Sequence, residues 1–91
     1  MSNQETYTIE VQGKTGIITK PTFAQKSSAM ASMYTNDGNL NMADSGRVLL
    51  NLCWKEGDME ILNDDDLAFD ASLKLWEEFL STIGGAELKK N

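Results

Sequence analysis

Three short stretches of this chain carry residue types that do chemistry. Gly13-Lys14-Thr15 spells the end of a phosphate-binding loop, Asn63-Asp64-Asp65-Asp66 gathers oxygen ligands, and Cys53 is a lone thiol. A phosphate loop needs G-x-x-x-x-G-K-[ST] between a strand and a helix, so that backbone N–H groups and a helix N-terminus face the phosphates. With Gly13 as the second glycine, the first position falls on Thr8. Lys14-Thr15 then runs into the β-rich Gly16-Ile17-Ile18-Thr19 rather than a helix. These residues read as a hairpin turn.

A calcium loop starting at Asn63 needs glycine at its sixth position, and that position is Ala68. Aligning on Gly38 or Gly57 instead puts Met33 or Leu52 at the first ligand position, and neither binds calcium. Aspartates at a helix start are accounted for by capping and the macrodipole. Cys53 sits beside Leu49 and Leu52 in a chain without histidine, so nothing of the usual kind activates it. Glu77 and Glu78 are adjacent, hence about 100° apart on a helix, and read as a solvated face with Lys74 placed to pair with Asp70 and Glu78. No nucleophile, base and oxyanion site can be assembled from these parts. The expectation is a non-enzymatic protein with no catalytic residue, no cofactor and no metal.

The 91 residues make one small domain, residues 1–91, whose size leaves a thin stability margin. Hydrophobic residues at 41% and charged residues at 24% are ordinary for a globular protein. A net charge of −6 points away from nucleic acid and from anionic membranes. One cysteine allows no internal disulfide, and neither a signal peptide nor a transmembrane run is visible, which suits a cytoplasmic setting.

The elements follow from periodicity and punctuation. Tyr7, Ile9 and Val11 alternate with polar residues, and Ile17-Ile18-Thr19 follows two glycines, predicting a β-hairpin over about 7–19. Its turn is Gln12-Gly13 or Gly13-Lys14, and glycine first in a two-residue loop favours the second as a type II′ turn. Either choice puts Ile18 on the face of Tyr7, Ile9 and Val11. Pro21 ends the strand, and Thr22-Phe23-Ala24-Gln25 is a capping box opening a helix over about 23–33. A turn cluster at Thr35–Asn39 precedes an Asn41-capped helix over about 42–54, with Val48, Leu49, Leu52 and Cys53 as its core stripe. Lys55–Asp58 breaks that helix, and Met59–Leu62 is ambiguous. Asn63 caps the longest helix, about 64–83, and 86–91 reads as a flexible tail. The fold class is α+β: an N-terminal hairpin followed by a compact three-helix unit.

The long helix is the informative element. Phe69, Leu73, Trp76, Leu80 and Ile83 recur at helical spacing as one core stripe, with Leu75 and Phe79 as a second beside it. That apolar face is wider than one small layer needs. It either completes the core or docks a partner through Leu75, Trp76, Phe79 and Ile83, aromatics being enriched at such anchors.

The order of signals has a family likeness. Ile9-Glu10-Val11, the Gly13-Lys14 turn, Lys20-Pro21-Thr22 launching a helix, a helix ending Leu49-Leu50-Asn51-Leu52-Cys53-Trp54 and an Asp-capped aromatic helix span Tyr7 to Ile83. This pattern resembles the small tail assembly chaperones of long-tailed bacteriophages and related prophage-derived proteins. The resemblance implies a protein without an active site, working in the bacterial cytoplasm. Its partner would be the tape-measure protein, an extended apolar helical chain sheathed until tail tube forms around it, and it would self-associate as a homo-oligomer. The other expectation is a small virion component or accessory subunit that assembles through the hairpin edge, using Thr8, Glu10 and Ile17.

Overall fold

The computed structural model describes residues 5–33, 41–81 and 88–90. Strand β1 (Thr6–Val11) and strand β2 (Lys14–Thr19) pair antiparallel with Val11 opposite Lys14, so the turn is Gln12-Gly13. Both turn residues have positive φ, 51° at Gln12 and 81° at Gly13. This is the type I′ geometry whose twist matches the flanking strands. The II′ turn at Gly13-Lys14 favoured by the sequence is therefore corrected. Gln12 accepts a left-handed backbone so that Gly13 can take the second turn position. Tyr7 lies opposite Ile18, and Ile9, Val11 and Ile18 are buried on one face, as the alternation predicts.

Lys20 N donates to Glu5 O (2.9 Å), extending the same ladder beyond the strands. Odd residues of β1 thus bond to β2, and in an antiparallel ladder the even ones, Thr6, Thr8 and Glu10, aim their backbone groups outward. β1 is a margin of the sheet, whose order is β1-β2-β3.

Helix α1 (Phe23–Ala31) opens with the expected capping box: Gln25 N donates to Thr22 Oγ1 (3.2 Å) and Thr22 N to Gln25 Oε1 (2.9 Å). Its interior contact is small. Ala29 is fully buried, and Ser45 Oγ donates to the Ala29 carbonyl (2.8 Å), while Phe23 at the helix start is exposed. Helix α2 (Met42–Cys53) is capped by Asn41, whose Oδ1 accepts from Asp44 N (2.9 Å). The expected turn at 35–39 lies outside the described residues.

Strand β3 (Trp54–Gly57) follows α2 directly and pairs antiparallel with β2, with a bulge between Ile17 and Ile18. Helix α3 (Glu60–Asn63) then turns the chain, with Ile61 fully buried. The third strand and this short helix replace the predicted breaker and ambiguous connector. Helix α4 (Asp65–Leu75) is capped by Asp64 rather than Asn63, because Asp64 Oδ1 accepts from Asp66 N (3.0 Å) and Leu67 N (3.1 Å). α4 runs on into a π-helical turn, Trp76–Leu80, closed by Ser81 N donating to Trp76 O (2.9 Å). The predicted end of this helix at 82–83 lies outside the described residues. So do 86, 87 and 91 of the tail, and 88–90 carry no regular structure.

The core lies between the sheet face and the crossing of α2 with α4. On α2 the buried residues are Ser45, Gly46, Leu49, Leu50 and Cys53, and on α4 they are Leu67, Ala68, Ala71, Ser72 and Leu75. Both predicted stripes are thereby corrected. At 100° per residue the α2 face is rotated by about 60° from the one centred on Val48, Leu49, Leu52 and Cys53, and Leu52 is half exposed. On α4 the larger Phe69 is exposed and Leu73 half-buried, and the side bearing Leu75 is the interior one.

Cys53 is buried at the far end of α2, its thiol within 3.5 Å of Gln25 Oε1. Burial pushes its pKa above the usual thiol value. The folded thiol stays protonated where the unfolded chain's ionises, so its linkage lowers folding stability as pH rises from the unfolded value towards the folded one. Native protein at pH 8 is expected to react with a disulfide reagent at least about 100-fold more slowly than urea-unfolded protein. Equal rates would show that this end of the core opens freely.

Candidate functional site

The candidate site is a groove of about 580 Å³ between β1 and the α4–π segment. β1 supplies one wall because Tyr7, Ile9 and Val11 alternate onto its inner face, and Leu75 and Phe79 supply the other. Ile9, Val11, Ile18 and Leu75 are at most 5% exposed and form a fixed apolar floor. At one end Tyr7 and Phe79 meet edge to face, ring centroids 5.4 Å apart and planes at 69°. Such a pair contributes about 0.5–1.5 kcal/mol beyond its buried area. At the other end Gln12 Nε2 donates to Asp70 Oδ2 (3.0 Å). The strand between these two posts spans roughly 17 Å.

Thr8 and Glu10 also line the groove, although their side chains point to the opposite face of the sheet. Their place in the lining sets the groove against the margin of β1, the side on which their backbone groups point outward. The groove side holds two carboxylates, Asp70 and Glu78, against one ammonium, Lys74, and Glu10 adds a third carboxylate on the outer face of the same strand margin. Lys74 Nζ lies 3.0 Å from Glu78 Oε1, and this pairing raises the lysine pKa. Tyr7 donates its hydroxyl to Glu5 Oε2 (3.1 Å), which raises the phenol pKa.

No protein-family model, curated protein or solved structure matches this chain.

The structure separates the residues expected to bind a partner. Leu75 is 2% exposed and belongs to the core as well as to the groove floor. Phe79 is half-buried in the groove wall. Trp76 turns instead to Met33, just beyond the end of α1, its Nε1 donating to Met33 Sδ (3.4 Å). Ile83 lies outside the described residues. The π turn explains this division. Leu75 and Leu80 are both buried, yet five residues of α-helix would set them about 140° apart. The wider turn brings Leu80 back under Leu75, leaving Trp76 and Phe79 on either flank.

The motif-like stretches have structural employment. Lys14 Nζ pairs with Glu60 Oε2 (3.1 Å) and Asp58 Oδ2 (3.7 Å), and a strand follows it rather than a helix. Asp64 caps α4. Among the described residues no three His, Cys, Asp or Glu side chains cluster with metal-binding geometry. No helix among them is long and apolar enough to cross a membrane.

Proposed function

We propose that this protein is a non-enzymatic interaction protein, an assembly chaperone of the phage-tail type, that shelters an apolar segment of a client. The observation that carries the reading is the open groove with its prebuilt apolar floor, a shape typical of ligand sites in size and composition. Phe79 is the residue best placed to hold the client, being an aromatic wall that is only half-buried. The resemblance in the order of sequence signals supplies the kind of client, an apolar helical polypeptide awaiting assembly.

The test is suppression of aggregation of a leucine-rich helical polypeptide by the purified protein. The parent is expected to keep it soluble, and Phe79→Asp to lose most of that effect while keeping its circular dichroism and hydrodynamic size. A parent that fails to protect, or a folded variant that protects equally well, would overturn the reading.

A second reading is assembly through the hairpin as a virion component or accessory subunit. The position of β1 at the sheet margin favours it. Ile17 on the outer face is only half-buried, which suits the same reading.

A further inference from the structure

The groove and the open strand margin are one feature, and together they restrict what can lie there. An occupant between β1 and α4 passes alongside the outward N–H and C=O groups of Thr6, Thr8 and Glu10. No strand among the described residues pairs with that side of β1. A helix has its backbone groups satisfied internally and leaves these unanswered, whereas an extended chain answers them in register. Alternate side chains of such a strand fall on the groove side, next to Tyr7, Ile9 and Val11, and the others on the outer face beside Thr8 and Glu10.

Charge decides the chemistry of the second set. On the outer face the margin of β1 presents the Glu10 carboxylate, and on the groove side Asp70 and Glu78 stand against one ammonium, Lys74, already paired with Glu78. Glu10 makes no ion pair with any described residue. The chain as a whole is at −6. A second copy of this protein would bring an identical acidic rim against the first, a like-charge arrangement that disfavours it.

We infer that the groove takes an extended segment of another protein in which apolar residues alternate with lysine or arginine, added as a strand to β1. This rests on the groove being a client site, as proposed above, and gives the segment bound there an extended form and a basic charge in place of the helical form assigned to the client as a whole. Val or Leu side chains fill the space over Ile9, Val11 and Leu75, while a basic residue lies beside Glu10.

Three blocked heptapeptides test it by amide NMR titration of labelled protein: Lys-Val-Lys-Leu-Lys-Val-Lys, the same with Glu for Lys, and the same with Thr for Lys. The basic probe is expected to shift the amides of Thr6, Thr8 and Glu10 together with the Phe79 ring signals, and to bind about tenfold more tightly than the acidic probe at low salt. N-methylation of the probe at alternate residues facing β1 should weaken it by about tenfold. Glu10→Gln, an exposed change, should narrow the basic preference by about two- to fivefold.

Equal binding of acidic and basic probes would overturn the charge assignment. Shifts at Phe79 without shifts at Thr6, Thr8 and Glu10 would overturn strand addition while leaving the client-groove reading standing. Silence at every groove residue with all three probes would overturn the inference, and the client-groove reading falls with it only where the leucine-rich helical polypeptide is also left unprotected. Concentration-dependent shifts of the same three amides without any probe would give the groove to a second copy and overturn the inference.

Discussion

Gly46→Ala is expected to destabilise the protein by about 3 kcal/mol or more, the upper range for overpacking an interior. On an exposed helix the same change stabilises by about 1 kcal/mol, since alanine is the better helix former. The sign is decided by the crossing of α2 and α4. A Cβ built on Gly46 lands inside the Ser72 carbonyl, which is backbone and cannot rotate away. The two helices would have to separate, opening the packing of α2 against α4 around Gly46 and Ser72. A 91-residue domain has a total stability of about 5–14 kcal/mol, so the loss is a large share of it. The melting temperature should fall by about 12 °C or more. A control, Asn51→Ala on the exposed face of α2, should leave it nearly unchanged. If Gly46→Ala melts at or above the parent, the close crossing is not present in solution.

Leu50→Ala and Leu52→Ala, two residues apart, should part widely. Leu50 is 0% exposed and Leu52 48%. Removing the Leu50 side chain leaves an interior cavity and costs about 2–5 kcal/mol, while Leu52→Ala should cost less than about 1 kcal/mol. Urea unfolding midpoints with unchanged slopes would measure both. Reversed costs would restore the stripe that hydropathy indicates and would rotate α2 by about 60° in its socket.

That pair shows where the sequence is readable and where it is not. The hairpin, its buried face and the capping box at Thr22 are local: alternation and cap chemistry within a few residues determine them. The orientation of α2 and α4 is not local, because the close approach is made by Gly46 against the Ser72 backbone, and small buried residues, Ser45, Ala68, Ala71 and Ser72, occupy the interior faces. A reading that weights large apolar side chains turns each helix towards Leu52 or Phe69 and overlooks the small residues that let backbones approach. Strand β3 was hidden for a related reason. Trp54-Lys55-Glu56-Gly57 has no alternation of its own and is a strand only because β2 offers it a partner. Of the groove, Leu75 and Phe79 were legible as apolar helix positions. Tyr7, Ile9 and Val11 were legible as a buried strand face, but nothing in the linear order announces that β1 lies across from α4. The π turn, which sends Trp76 to Met33 and Phe79 to the groove, has no signature in Trp76–Leu80 that spacing rules detect.

The sheet also has an order of assembly in time. β1 meets β2 across two residues, a closure that takes about 1–10 μs. β2 meets β3 only after the roughly 40 residues between Gly16 and Gly57 have been drawn together, with α1 and α2 among them. The hairpin can therefore form and dissolve many times before the helices deliver Trp54 to Ile18. Throughout that interval both sides of the two-stranded ribbon are open. The nascent chain is thus at its most adhesive before it is finished, and whatever strand it meets first has two margins to choose from rather than one.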